Sequence, residues 1–169
     1  MNDDTEILEF KPKPQAKPGA GKALKEPDEE IDSCAAFGFL RGIRDRALAV
    51  EFRLRDGTSK SFPYSWLGPM HFNPSVGLLI KFCGDLVTLV LIRGSNLDML
   101  VSPGAVNLTH RGLQRHRILW VREMTDQELR VIGDNGPTID RIEIAEFDAE
   151  MELTEWLRKH APQFVGKAG

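Results

Sequence analysis

Cysteine occurs twice and tyrosine once in this chain of 169 residues, and none of the scarce reactive side chains is clustered. Cys34 and Cys83 stand singly among apolar neighbours, which reads as two buried thiols rather than a disulfide. Cys34, His71, Cys83, His110 and His116 are scattered, whereas a structural metal needs ligands at short spacing. No Gly-x-Ser-x-Gly, His-Glu-x-x-His or Cys-His pairing is present, and nothing selects two of the many C-terminal carboxylates as an acid/base pair. The expectation is a non-enzymatic protein with no metal and no cofactor. Apolar runs fall far short of the ~20 residues that span a bilayer. The opening MNDDTEILEF is acidic and lacks the basic-then-apolar order of a secretory leader, so a cytoplasmic protein without membrane attachment is expected.

What is present is ordinary in amount and uneven in distribution. Hydrophobic residues make up 41% and charged residues 28%, as in a typical soluble domain. Residues 10–30 combine Pro, Gly, Ala, Lys and Glu with almost no large apolar side chain, so burial cannot offset ordering entropy; residues 1–31 are expected to be a disordered tail. Gly19-Ala-Gly-Lys22 lacks the earlier glycine and the Ser/Thr of a phosphate loop. The remaining length, about 135 residues, suffices for a core without a staple. Net charge is −3, but residues 1–32 carry −4, residues 33–122 carry +7 and residues 123–169 carry −6. A basic middle is the footprint of a polyanion binder; it is equally the pattern of a chain whose acidic flanks fold back on it.

The patterning predicts a mainly β protein with short helices, of α+β class. A capped amphipathic helix is expected from Asp32 or Ser33, with Phe37, Leu40 and Ile43 on its apolar stripe. Leu48 to Asp56 alternates with period two, Asp56-Gly57 signals a hairpin, and 58–67 makes a return strand that Pro63 must interrupt or confine to an edge. Residues 68–74 read as a loop. Residues 76–83 and 86–93 read as strands, and Gly94-Ser95-Asn96 as a tight turn before a short strand, Leu97–Val101. A short helix over 104–115, a strand over 117–123 and a strand over 141–147 follow. Thr125-x-x-Glu128 has capping-box spacing, and Asp148 is placed to cap a last helix.

Two stretches carry a family resemblance. Phe39-Leu40-Arg-Gly-Ile43-Arg44-Asp-Arg46-Ala-Leu48-Ala-Val50-Glu-Phe52-Arg-Leu54-Arg-Asp56-Gly57 resembles the helix and first strand of bacterial Sm-like RNA chaperones. Ile92-Arg93-Gly94-Ser95-Asn96-Leu97 is similar to the second Sm signature, and Pro69-Met70-His71-Phe72-Asn73 stands where the first would be, without its Asp. The resemblance spans about residues 36–102. It implies a small, strongly bent β-barrel of Sm-like type over 32–103 with an N-terminal helix, and leaves 104–169 as a C-terminal α/β extension packed on it. It further implies a non-catalytic RNA-binding module that assembles as a ring-forming homo-oligomer.

On that resemblance Arg93 and Gly94 line a pocket with Asn73 and His71 or Phe72, where an unstacked base of single-stranded RNA finds a π-face and polar partners. Arg93 also reads as a surface arginine ending a strand, and Asn73-Pro74 as a turn former. The densest basic cluster, His110 to Arg117, offers Arg111, Arg115 and Arg117 to phosphates, or else is the solvated end of a short helix. Phe62, Tyr64 and Trp66 alternate on one face and read as core before they read as a stacking platform. The rival function is a protein-interaction or scaffold domain whose basic patch meets an acidic partner.

Overall fold

The computed structural model describes residues 31–102 and 105–166. The expected tail and its Gly19–Lys22 stretch lie almost wholly outside the described residues. Nine strands and two helices follow in the order β1 (Ile31–Ser33), β2 (Phe37–Leu40), β3 (Ala49–Arg53), β4 (Ser59–Pro63), β5 (Leu67–Asn73), β6 (Gly77–Cys83), β7 (Val87–Ser95), β8 (Ile118–Arg122), α1 (Asp126–Ile132), β9 (Thr138–Phe147) and α2 (Glu150–His160). They form two sheets, β1-β2-β8-β3-β4 and β5-β6-β7-β9. Every pairing is antiparallel except that of β3 with β8. The class is α+β, mostly β; among the described residues the strands form two packed sheets and no closed barrel.

Strand patterning explains the layers. In β3, Val50 and Phe52 are buried while Ala49 and Arg53 are exposed, as period two requires of a sheet with one wet face. β6 and β7 read as nearly unbroken apolar runs because both faces of their sheet are covered. Leu78, Ile80, Phe82, Val90 and Ile92 face the five-stranded sheet, where the Phe82 ring stacks on Phe62 at 4.5 Å and meets Phe52 at 6.0 Å. Leu79, Leu89 and Leu91 face the other way and pack under Leu153 and Leu157 of α2 and Ala161 and Phe164 beyond it. Burying side chains of this size contributes about 1.5–3 kcal/mol each before entropy is counted.

Several sequence expectations are corrected. The N-terminal helix is absent: residues 37–40 form β2, fully buried between β1 and β8, and Ile43 is 70% exposed in a turn. Phe37 and Phe39 face the core with period two, and Gly38 between them lies flat under the Trp120 ring. A Cβ there would stand 2.3 Å from the indole Nε1. Two glycines, at 38 and 42, also weigh against a helix. The 68–74 loop is the edge strand β5; Pro69 fits because the register shifts between Leu67 and Met70. Gly94 and Ser95 of the expected turn are instead the end of β7, Asn96 just beyond it takes a left-handed backbone, φ 55°, and 97–101 forms no strand, only an isolated bridge from Val101 to Val106. The helix over 104–115 shrinks to a 3-10 turn at Leu113–Arg115.

Residues 104–169 are not an extension laid on a finished barrel. β8 inserts between β2 and β3, and β9 pairs with β7 along its length, so the late segments complete both sheets. Cys83 is exposed and Cys34 half-buried; both are free thiols. Asp148 does not cap α2, whose N-cap is Ala149.

The capping box is realised. The Thr125 hydroxyl accepts from the Glu128 N–H at 3.2 Å, and the Thr125 N–H donates to the Glu128 carboxylate at 3.1 Å. The Arg122 guanidinium first, then these contacts, hold the Glu128 carboxyl below its ordinary range. A depressed carboxyl contributes stability that is present above its unfolded pKa and is lost as pH falls through the folded one. Thr125→Ala is expected to cost about 1 kcal/mol, read as a lower urea midpoint with an unchanged slope.

Candidate nucleic-acid interface

The residues expected to form a base pocket are split between opposite faces of the four-stranded sheet. Along β5, Phe72 faces the main core while His71 and Asn73 alternate to the other side. β6 lies between β5 and β7, so Asn73 sits opposite Gly77, and Arg93 lies one strand further on, about 10 Å away. The Asn73 side chain accepts from the Ser75 N–H at 2.9 Å, which is the work of a turn residue. His71 lies beside Phe164, ring centroids 6.5 Å apart, with its Nε2 buried and unpartnered among the described residues.

Arg93 is engaged from within the fold. Its Nε meets the Glu143 carboxylate at 3.4 Å, and its terminal nitrogen donates to the His160 carbonyl at the end of α2. Glu143 also takes Arg141 at 3.2 Å and meets the His160 ring nitrogen at 3.5 Å, so one carboxylate gathers two arginines and a histidine. Gly94 sits at the β-bulge between β7 and β9. Gly94 and Phe72 do share a cleft of about 300 Å³, but its charged walls are Asp98 and Asp134. That cleft is acidic, the wrong sign for a phosphate backbone.

The basic residues converge elsewhere. The loop from Arg41 to Leu48 leaves β2, and the segment from His110 to Arg117 enters β8. Residues 49–109, 61 in all, separate them in sequence, and backbone hydrogen bonds join them: Leu40 N–H to the Arg117 carbonyl at 2.8 Å, and Ala47 N–H to the His116 carbonyl at 2.7 Å. Arg117, 1% exposed, fastens the join. Its Nε donates to the Leu40 carbonyl at 3.1 Å and its Nη2 to the Arg41 carbonyl at 2.8 Å. Burial first, and then the nearby Arg115 and Arg46, lower the pKa of this guanidinium from its ordinary value. Arg117 is therefore a pin beneath the surface and not, as the sequence suggested, a phosphate contact.

Around that pin the loops are held in place by local polar contacts. Asn107 is fully buried; its amide donates to the Asp98 carbonyl at 2.9 Å and its oxygen accepts from the Arg111 N–H at 2.9 Å. His116 takes a left-handed backbone, φ 55°, and stacks on Tyr64 at 4.5 Å. The Tyr64 hydroxyl donates to the Ile118 carbonyl at 2.6 Å. Of the expected aromatic strip, Phe62 and Tyr64 are thus core, and Trp66 alone is partly exposed. Arg46 donates to the carbonyls of Ile43 and Asp45, at 2.9 and 3.0 Å, which holds the turn of its own loop.

Arg41, Arg44, Arg46 and Arg115 are exposed at this corner, and Arg111 is half-exposed. The acidic side chains of the two loops and the adjoining strand are Asp45 and Asp32, the latter paired with Arg41 at 3.0 Å. Arg44 and Arg46 were legible as charges but were placed on the wrong element; the +7 balance of residues 33–122 was the signal for them. No family model, curated protein or solved structure matches the chain.

Proposed function

We propose that this protein is a non-catalytic module that binds single-stranded RNA, with the arginine corner gripping the phosphate backbone. The observation that carries this reading is the docking of the 41–48 loop onto the 110–117 segment by Arg117. It gathers Arg44, Arg46 and Arg115 on one exposed corner, with Arg111 alongside. Guanidinium groups suit phosphate because their planar fork donates two parallel hydrogen bonds and their charge is permanent. RNA is singled out among polyanions by the sequence resemblance to Sm-like RNA chaperones alone, since the described residues lack the N-terminal helix and closed barrel it implied, and the expected pocket of His71, Phe72, Asn73, Arg93 and Gly94 contributes little to it.

The test is fluorescence anisotropy of a labelled single-stranded RNA of about 20 nucleotides. The triple substitution Arg44→Ala, Arg46→Ala, Arg115→Ala is expected to weaken binding more than about tenfold. It should also make the slope of log K against log salt shallower by about 2, since each cation accounts for roughly 0.7 on single strands. Arg93→Ala should leave both quantities unchanged. A triple variant with wild-type affinity overturns the assignment.

One observation favours a second reading. Ile43 is 70% and Leu48 is 90% exposed on the same loop as the arginines. An RNA backbone makes no use of such side chains, whereas an acidic protein segment with apolar residues would bury them. Leu48→Ser leaves RNA affinity intact under the first reading. Loss of binding to an acidic, leucine-containing peptide on Leu48→Ser, with no RNA bound by the parent protein, would establish the second.

A further inference from the structure

The described chain begins at Ile31, and its first strand lies beside the arginine corner. β1 pairs with β2 in a register that sets Ser33 opposite Gly38, Asp32 opposite Phe39 and Ile31 opposite Leu40. The residues just before Ile31 are Glu26-Pro27-Asp28-Glu29-Glu30, four carboxylates in five positions. Chain connectivity alone keeps all of them within about 20 Å of Ile31, at no more than roughly 3.5 Å per residue. Asp32 already reaches across to Arg41, at 3.0 Å, so one acid of this end is seated on the corner.

We propose that Glu26–Glu30 is a built-in competitor that occupies the arginine corner and must be displaced by RNA. The inference rests on the polyanion reading of that corner and names how it is regulated. Charge complementarity selects the occupant. The exposed Arg41, Arg44, Arg46 and Arg115 face only Asp32 and Asp45 among the acids of the elements that build the corner. A tethered run of four carboxylates supplies the missing negative charge at high effective concentration. The lysines at positions 11, 13, 17, 22 and 25 come next toward the N-terminus and reverse the sign, which confines the competing segment to the five residues nearest the strand. A tethered competitor of this kind lowers affinity for weak polyanions and spares binding of long ones, which engage more cations than four carboxylates can hold.

The experiment uses the full chain and the fourfold variant Glu26→Gln, Asp28→Asn, Glu29→Gln, Glu30→Gln. Two readouts are taken: anisotropy with the same labelled RNA, and amide chemical shifts of the RNA-free protein. The variant is expected to bind RNA about tenfold more tightly at roughly 50 mM salt, with the gap closing to less than about twofold near 300 mM as screening removes the competition. Without RNA, amide resonances of Arg41–Arg46 and Arg115–His116 should move on substitution while those of β6 and β7 stay. Unmoved corner resonances overturn the inference whether or not RNA is bound. Moved resonances with no RNA bound by either protein keep the intramolecular contact and overturn the RNA reading of the corner. Equal RNA affinity of the two proteins at low salt overturns the competitive role.

Discussion

Arg117→Met is expected to destabilise the protein by about 3 kcal/mol and to abolish the arginine corner without removing an exposed charge. The guanidinium makes two hydrogen bonds to backbone carbonyls, of Leu40 and Arg41, in a site that is 1% exposed. Hydrogen bonds from a charged donor contribute about 1.5–3 kcal/mol each, and the loss is greater when the acceptor is left buried. Methionine fills the space of the stem and leaves both carbonyls without their donor. Thermal denaturation should show a fall of roughly 10 °C for a domain of this size. Amides of the 41–48 loop should lose hydrogen-exchange protection ahead of the β6–β7 hairpin, because the pin holds the loop and not the sheet. On the proposed RNA-binding reading, affinity of the folded variant should drop with the loop, although Arg117 itself is 1% exposed. Arg117→Lys is not expected to rescue, since a single ammonium cannot present donors along both Nε and Nη2 directions. Wild-type stability and wild-type affinity in Arg117→Met would show that the loops are joined by other means.

Gly94→Ala is expected to cost a similar amount, about 3 kcal/mol, and, on the proposed RNA-binding reading, to leave the affinity of the folded protein unchanged. A Cβ on Gly94 would lie 1.9 Å from the Thr138 carbonyl oxygen and 3.0 Å from the Ile139 Cα, both of them backbone atoms of β9. Neither can rotate away as a side chain tip would, so the β7–β9 ladder must shift at its bulge. The measurement is a urea melt followed by anisotropy under native conditions. If Gly94 were instead a ligand-lining residue, as its place in an Sm-like signature implied, alanine would spare the melt and weaken binding. The two outcomes separate a packing glycine from a site glycine.

Period-two alternation was legible in β3, where one face of the strand is wet, and so was the hairpin at Asp56-Gly57 that leads into β4. The capping box at Thr125 was legible because both of its partners are local. What failed were the segments whose structure depends on distant neighbours. Phe37, Leu40 and Ile43 satisfy a helical spacing, yet β8 supplies a strand partner from eighty residues on, and Trp120 covers the glycine that a helix would not need. Residues 68–74 read as a loop, but a bulge on an edge strand accommodates Pro69 there. Arg93 and Arg117 carry the same charge on the page; only folding shows one tied to Glu143 and the other closed in beneath the corner.

Composition and local spacing thus determined by themselves that this chain is mainly β, that its charges are segregated and that its middle is basic. Those properties belong to single residues and their near neighbours, and they survive any arrangement of the strands. Which arginines face outward together was decided only by the tertiary structure. The insertion of β8 between β2 and β3 brings residues 41–48 against 110–117, and burial there turns one arginine of the cluster into a fastener for the rest. A guanidinium is drawn inward when backbone carbonyls can satisfy its donors, and whether they can is settled by contacts far apart in sequence.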